Sequence, residues 1–252
     1  MRLPFRRTAC ISTHLETPQA APVAPWRKAA AWSVHLLTAV GAVAGFFALI
    51  AIADARWMDA FAWMGLTVLI DGVDGLFARM VGVRRILPGI DGALLDNIVD
   101  YFTYVVIPAF FVYEADFVPD SWRVPVAAAM ILSSAYQFCQ VDAKTADHFF
   151  TGWPSYWNVA VFYLFVFDAN PLLNLVLLLT CAILVFVPVR YLYPSRAERF
   201  RVTCVLLTLV WAVTLVVMWF QYPVVHISVT ALSIAYVVFY YAVSLFATLR
   251  QA

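Results

Sequence analysis

Charge is what this sequence has least of. Of its 252 residues, 12% are Asp, Glu, Lys or Arg, where a soluble domain carries roughly 25%. Apolar side chains fill the gap at 64% of the chain, with a mean hydropathy of +0.86. A soluble globular domain is excluded, and an integral membrane protein of one compact domain is implied. The net charge of +1 comes without any basic stripe, so no nucleic-acid partner is expected.

Other absences narrow the chemistry. Cys10, Cys139, Cys181 and Cys204 show no C-x-x-C and no Cys/His metal spacing, and read as small packing residues. There is no P-loop, no Rossmann fingerprint and no Ser/His/Asp set. No internal repeat marks the inverted halves of a transporter. The first residues hold Arg and Pro without an apolar core, unlike a signal peptide. A flexible cytoplasmic tail is therefore expected over 1–28, ahead of a membrane domain over 29–252.

Long apolar runs are what the sequence does contain. A spanning helix needs roughly 20 mostly apolar residues. Eight segments qualify: about 30–52, 58–78, 94–113, 122–141, 153–167, 171–190, 202–220 and 224–247. The expected fold class is thus all-α, a polytopic membrane bundle of about eight transmembrane helices. With both termini in the cytoplasm, fourteen of the sixteen Lys and Arg residues fall inside; only Arg56 and Arg123 fall outside. That asymmetry is what the positive-inside rule asks for.

Against this background four carboxylates stand out. Asp71 and Asp74 lie in the cytoplasmic half of the second segment; Asp96 and Asp100 open the third, on the same side. Residues three or four apart share a helix face, so two antiparallel helices can aim all four at one point. A carboxylate at the centre of a lipid-exposed helix costs about 2.5–3.5 kcal/mol, so these must face a polar cavity and a cation. All-oxygen ligation suits Mg²⁺ or Mn²⁺ and not Zn²⁺. Two such ions could share the four ligands and grip a pyrophosphate. Gly75 and Ala78 leave room for a ligand against the second helix, although close helix packing also uses small residues.

The full pattern is D-x2-D-G-x2-A-R-x12-G-x3-D-x3-D, from Asp71 to Asp100. It resembles the signature of the CDP-alcohol phosphatidyltransferase family. The gap between Arg79 and Gly92 is twelve residues, longer than usual in that family. This departure, and the stretch CQVDAKTADHFFTGWPSYWNVAVFYLF from Cys139 to Phe165, are similar to its bacterial, choline-using branch. The resemblance covers essentially the whole membrane region.

The resemblance implies transfer of a phosphatidyl group from CDP-diacylglycerol to free choline, with release of CMP. Asp71, Asp74, Asp96 and Asp100 would be the ligands of the Mn²⁺ or Mg²⁺ ions. Asp100 would also be the catalytic base for the acceptor hydroxyl. Gly75, Ala78 and Gly92 would lie against the CDP moiety. Arg79 would support the aspartates or the nucleotide, or simply anchor the helix end. Asp91 reads as a helix cap. Ser33, His35 and Thr38, polar near the cytoplasmic end of the first helix, offer a nucleotide contact, with Thr38 placed in the CDP set. A homodimer in the bacterial inner membrane is implied as well.

Choline needs a different kind of site. A quaternary ammonium has no N–H to donate, and is held by aromatic faces and nearby negative charge. Tyr101, Tyr104, Tyr136, Trp153, Tyr156 and Trp157 are the candidates, each of which has packing or interfacial anchoring as its bland alternative. Asp142, Lys144, Asp147 and His148 form a polar loop that is either solvated or part of the pocket. Two rival readings stay open. One keeps the chemistry with serine, glycerol phosphate or inositol phosphate as acceptor, and the other makes the aspartates the relay of a cation or proton transporter.

Overall fold

The computed structural model describes residues 23–140, 149–192 and 201–249. Helix α1 spans Pro25–Ala53, five residues ahead of the expected edge, because Pro25 sits in its first turn, where proline's fixed φ favours the helix and its missing N–H costs nothing. A tight turn at Asp54–Arg56 reverses the chain into α2, Trp57–Val81. After the single-turn α3, Val83–Ile86, the third segment runs as α4, Gly92–Asp100, a π-helical stretch, Tyr101–Val106, and α5, Ile107–Glu114. Helices α6, Arg123–Cys139, α7, Trp157–Val166, α8, Pro171–Leu184, α9, Arg201–Gln221, and α10, Ile227–Leu249, complete the bundle.

Each of the eight expected segments contains a helix, though the sixth, expected over 171–190, stops at Leu184 with 14 residues, and Arg190 belongs to a strand. The chain is an all-α polytopic membrane bundle. Among the described residues, five helical stretches are long and apolar enough to cross a membrane: α1, α2, Gly92–Glu114, and most of α9 and of α10. Helix α7 has only 10 residues, roughly 15 Å at 1.5 Å per residue, about half of the hydrocarbon core. It starts at Trp157 and not at 153, because Gly152–Tyr156 forms an irregular segment. One element was not expected at all. Phe149–Thr151 (β1) pairs antiparallel with Arg190–Leu192 (β2), Phe150 opposite Tyr191.

Close approach at α1 positions everything else. Its buried face includes Gly41, Ala44, Gly45, Ala48 and Ala51, the small residues that let helices pack backbone to backbone. A Cβ on Gly45 would lie 2.8 Å from Ile107 Cδ1 and 2.9 Å from Phe102 Cε1. The π-helical segment and the start of α5 are thus seated directly on α1.

The main core runs from the end away from the aspartates, around Phe61 and Phe111, to Trp153, Trp157 and Tyr191. Phe61 packs on Phe111, Phe162 and Phe165 with ring centroids 4.9–5.2 Å apart. At that end the two cations Arg56 and Arg123 each pair with two aspartates, Asp54 and Asp59, and Asp116 and Asp120. Such exposed pairs add little stability. A smaller core lies at the other end. Val83 and Ile86 of α3 bury against Ala31 and Val34 of α1, so the long link between Arg79 and Gly92 is folded onto the bundle.

Candidate active site

Three of the four aspartates come together. Asp71 on α2 and Asp96 and Asp100 on α4 each offer a carboxylate oxygen, and these atoms all lie within 4.8 Å of one another. All three side chains are half-buried. Two local facts aim them. Asp96 and Asp100 are one turn apart on α4, and α4 itself is started by Asp91, whose Oδ1 accepts hydrogen bonds from the amides of Ala93 (3.0 Å) and Leu94 (3.1 Å). The helix-cap role expected of Asp91 is what the geometry has.

Asp74 lies one turn further along α2 and takes a different partner. It is buried, at 4% exposure, and its Oδ2 accepts a hydrogen bond of 2.6 Å from Thr38 Oγ1. Thr38, placed in the nucleotide set on sequence grounds, therefore anchors a carboxylate. A buried charge without such a bond would be costly, so α1 and α2 are tied together at the level of the site.

The glycines differ in what they do. A Cβ on Gly92 would sit 2.8 Å from His35 Cε1, so the imidazole of α1 packs against the first turn of α4 and requires the bare backbone. His35 is buried, and its Nε2 has no hydrogen-bond partner among the described residues. At Gly75 the nearest atom to an added Cβ would be Arg79 Nη1 at 3.5 Å, an ordinary contact, so internal packing does not demand glycine there. Ala78 packs on the small core formed by α1 and α3. Arg79 is exposed in the last turn of α2, where its charge suits the helix dipole.

The π-helical stretch begins directly after Asp100. Its widened turn is closed by the Ile107 amide bonding to Phe102 O, five residues back. From this stretch Tyr104 turns toward α2, and its hydroxyl donates to Asp71 Oδ2 at 2.8 Å. Tyr104 also lines a cavity of about 480 Å³. The carboxylate cluster and this cavity thus share a wall.

The six aromatics singled out in the sequence separate here. Tyr104, Trp153 and Tyr156 line the cavity. Tyr101 does not; its hydroxyl donates to Ile131 O at 3.0 Å and its ring packs edge-on against Phe138. Tyr136 is 47% exposed and packs its ring near Phe186. Trp157 is fully buried behind the cavity and donates through Nε1 to Ser134 Oγ at 2.7 Å. The loop of Asp142, Lys144, Asp147 and His148 lies outside the described residues.

The segment presenting Trp153 and Tyr156 is held by a directional chain of hydrogen bonds. Trp157 Nε1 donates to Ser134, leaving the Ser134 hydroxyl to donate to Ser155 Oγ (2.9 Å). Ser155 then donates to Gln137 Oε1 at 2.5 Å, and Gln137 Nε2 reaches the Gly152 carbonyl at 3.4 Å. Gly152 has φ +83°, and a Cβ there would run into the Val185 carbonyl oxygen. Only glycine meets both conditions.

Sequence reasoning missed the far wall of the cavity. Tyr163 of α7, Trp211 of α9, and Tyr236, Tyr240 and Tyr241 of α10 all face it. In the sequence these sit in apolar helices, where Tyr and Trp read as interfacial anchors, and only the fold assembles them.

No family model matches the chain. Comparison with individual proteins is decisive. The chain is 43% identical over 226 residues to the phosphatidylcholine synthase of Legionella pneumophila, covering 87% of this chain and 89% of that protein. It is 40% identical over 189 residues to that of Rhizobium meliloti, 75% and 78% of the two chains. Against that of Borreliella burgdorferi the identity is 37% over 205 residues, 81% and 86%. With the aspartate cluster lying inside a helical membrane bundle of matching extent, the chain belongs to the phosphatidylcholine synthase family.

Proposed function

We propose that the chain makes phosphatidylcholine by transferring the phosphatidyl group of CDP-diacylglycerol to free choline, releasing CMP. The observation that carries this reading is the convergence of Asp71, Asp96 and Asp100 within 4.8 Å beside an aromatic cavity, in a chain of this family. A pyrophosphate substrate and a quaternary ammonium acceptor need those two environments side by side.

The donor set fits hard divalent ions, since it is all carboxylate oxygen. Asp71, Asp96 and Asp100 would hold the Mn²⁺ or Mg²⁺ ions, with Asp74 contributing as the fourth carboxylate. Such ions, when bound, neutralise the pyrophosphate and the charge on the leaving CMP. The chain's own groups do the rest. Asp100 orients the choline hydroxyl and takes its proton as the oxygen attacks the β-phosphorus, on the diacylglycerol side. Asp71 is fixed in orientation by the Tyr104 hydroxyl. Gly75 leaves the α2 backbone open to the CDP moiety, and Gly92 and Arg79 border the same end. Tyr104, Trp153 and Tyr156 offer ring faces to the trimethylammonium. The charge asymmetry of the loops supports an orientation with both termini and the aspartates at the cytoplasmic face of a bacterial inner membrane. The family resemblance also implies a homodimer.

The test is a parallel incubation of the purified protein, in detergent or nanodiscs, with CDP-diacylglycerol, Mn²⁺ and labelled choline, serine or inositol. CMP release with choline and not with the others is the expected result. Release with serine in place of choline would overturn the acceptor, and no release with any alcohol would overturn the reaction.

A further inference from the structure

The cavity beside the aspartates has an unusual lining. Of the 17 described residues that line it, eight are Tyr or Trp, and none is Asp, Glu, Lys, Arg or His. Its polar atoms are largely committed to one another. Trp153 Nε1 donates to Tyr241 Oη at 2.9 Å, and Trp211 Nε1 to Tyr163 Oη at 2.8 Å. Tyr163 Oη is also shared with Ser233 Oγ, and Tyr236 Oη with Thr208 Oγ1. Tyr240, which lines the same space, is the exception. Its Oη is buried without a hydrogen-bond partner among the described residues.

This chemistry disfavours several ligands. A phosphorylated acceptor would find no cation among these lining residues. A primary ammonium brings three N–H donors that need acceptors, and nearly every hydroxyl here is already engaged. An N-methylated ammonium needs neither: its charge is spread over methyl groups that seek ring faces. Its polarised C–H groups can rest against an unpaired oxygen such as Tyr240 Oη. The aspartate cluster begins one hydrogen bond away, at Asp71, through the Tyr104 hydroxyl.

We propose that the C-terminal helix pair, through Trp211, Tyr236 and Tyr240, forms the wall that selects the acceptor by its number of N-methyl groups. The inference rests on the choline reading above and extends it to residues of α9 and α10. On this account the aspartate end decides whether transfer occurs, and the C-terminal pair decides which amino alcohol is used. Trp211 donates to Tyr163, so one hydrogen bond links α7 to α9 on this side of the cage. Tyr236 stacks on Trp211 with centroids 5.1 Å apart and planes 23° from parallel, which stiffens that side.

The experiment compares choline, dimethylethanolamine, monomethylethanolamine and ethanolamine as acceptors, for the wild type and for Trp211→Leu, Tyr236→Leu and Tyr240→Phe. In the wild type kcat/KM falls with each methyl removed. In Trp211→Leu and Tyr236→Leu the KM for choline rises about tenfold, the choline preference over dimethylethanolamine shrinks, and the KM for CDP-diacylglycerol stays put. Tyr240→Phe produces a smaller rise of the same kind.

A second measurement needs no variant. Tetramethylammonium should inhibit competitively against choline, and the uncharged isostere 3,3-dimethylbutan-1-ol should do so at least roughly tenfold more weakly. Equal inhibition by the two would overturn the inference, leaving only an apolar cavity. So would unchanged methyl selectivity in all three variants, or a shift confined to the KM for CDP-diacylglycerol, which would make the cavity an acyl-chain site. Absence of any choline-dependent CMP release from the wild type is a separate outcome; it would remove the underlying reading as well.

Discussion

The carboxylate end of the bundle is carried by α1, α2 and α4, neighbours in sequence that pack through glycine and alanine, while the far wall of the aromatic cavity is carried by α9 and α10, which arrive a hundred residues later. In the most apolar stretch of α1, 39% of the residues are buried, against 11% in those of α9 and α10. In the first region side chains are seated directly on bare glycine backbone, as at Gly45 and Gly92. The second is fixed mostly by side-chain hydrogen bonds, such as Trp211 to Tyr163 and Trp219 Nε1 to Met58 O at 2.8 Å. Phosphoryl transfer needs its charges held to a fraction of an ångström. An ammonium held by ring faces tolerates more play. The two kinds of construction match those two demands.

Breaking the carboxylate side should therefore have the largest effect. Asp100→Asn should lower CMP release by about 10²–10⁴-fold, and EDTA should abolish it in the wild type until Mn²⁺ or Mg²⁺ is restored. The same substitution should move stability the other way. Three carboxylates within 4.8 Å repel one another when no cation is present. In EDTA, Asp100→Asn should thus melt higher than the wild type, and it should gain less from added Mn²⁺. A variant that kept full activity would remove Asp100 from the mechanism. One that melted lower in EDTA would remove the repulsion argument.

The next effect falls on the segment joining the two regions. Gly152→Ala places a methyl against the Val185 carbonyl at a left-handed φ of +83°. The backbone must shift, at a cost of about 2–4 kcal/mol, and with it Trp153 and Tyr156. We expect a clear fall in melting temperature and a raised KM for choline. Unaltered melting would mean that the Gly152 turn is not built as described.

Smaller losses are expected where single contacts tie α1 to the site. Thr38→Val leaves buried Asp74 without its 2.6 Å hydrogen bond, costing about 1–3 kcal/mol. Gly92→Ala drives a Cβ to 2.8 Å from His35 Cε1, costing a similar 1–3 kcal/mol, roughly, by overpacking. His35→Ala should relieve the second and not the first. Additive losses in the Gly92→Ala, His35→Ala double variant would contradict the packing assigned to that ring.

How much of this could be read in advance follows the same division. The spans and the stripes at Asp71, Asp96 and Asp100 were legible because they depend on spacing within single helices. So was the cap at Asp91. The Thr38–Asp74 bond was not, since it crosses between helices and the four aspartates look alike in the sequence. The π-helical turn after Asp100 was hidden too; its Phe102 and Thr103 and the adjoining Ile107 are seated on Gly45 of another helix, a contact that spacing within one helix does not announce. The pairing of β1 with β2 joins segments about forty residues apart, and no alternation in three residues announces it. The aromatic wall was least legible of all. Its tyrosines have the composition of an interfacial belt, and only the fold, with Tyr163 of α7 bonded to Trp211 and Ser233, turns their faces to a common space.

The least effect should come from aromatics that resemble that wall in sequence and lie outside it. Tyr101 spends its hydroxyl on Ile131 O, 3.0 Å away on α6. Tyr101→Phe should cost about 1 kcal/mol of stability and leave the KM for choline within roughly twofold, well short of what removing a ring from around the cation would do. Tyr136 is 47% exposed and accepts a hydrogen bond from Gln140 Nε2, so Tyr136→Leu should do still less. Both measurements use the same acceptor series as the Trp211 and Tyr236 variants. If Tyr136→Leu shifted methyl selectivity as far as Trp211→Leu does, aromatic content near the aspartates would matter more than position. The division between the two regions would then lose its basis, because proximity in sequence to Asp100 would predict function better than the wall the fold builds.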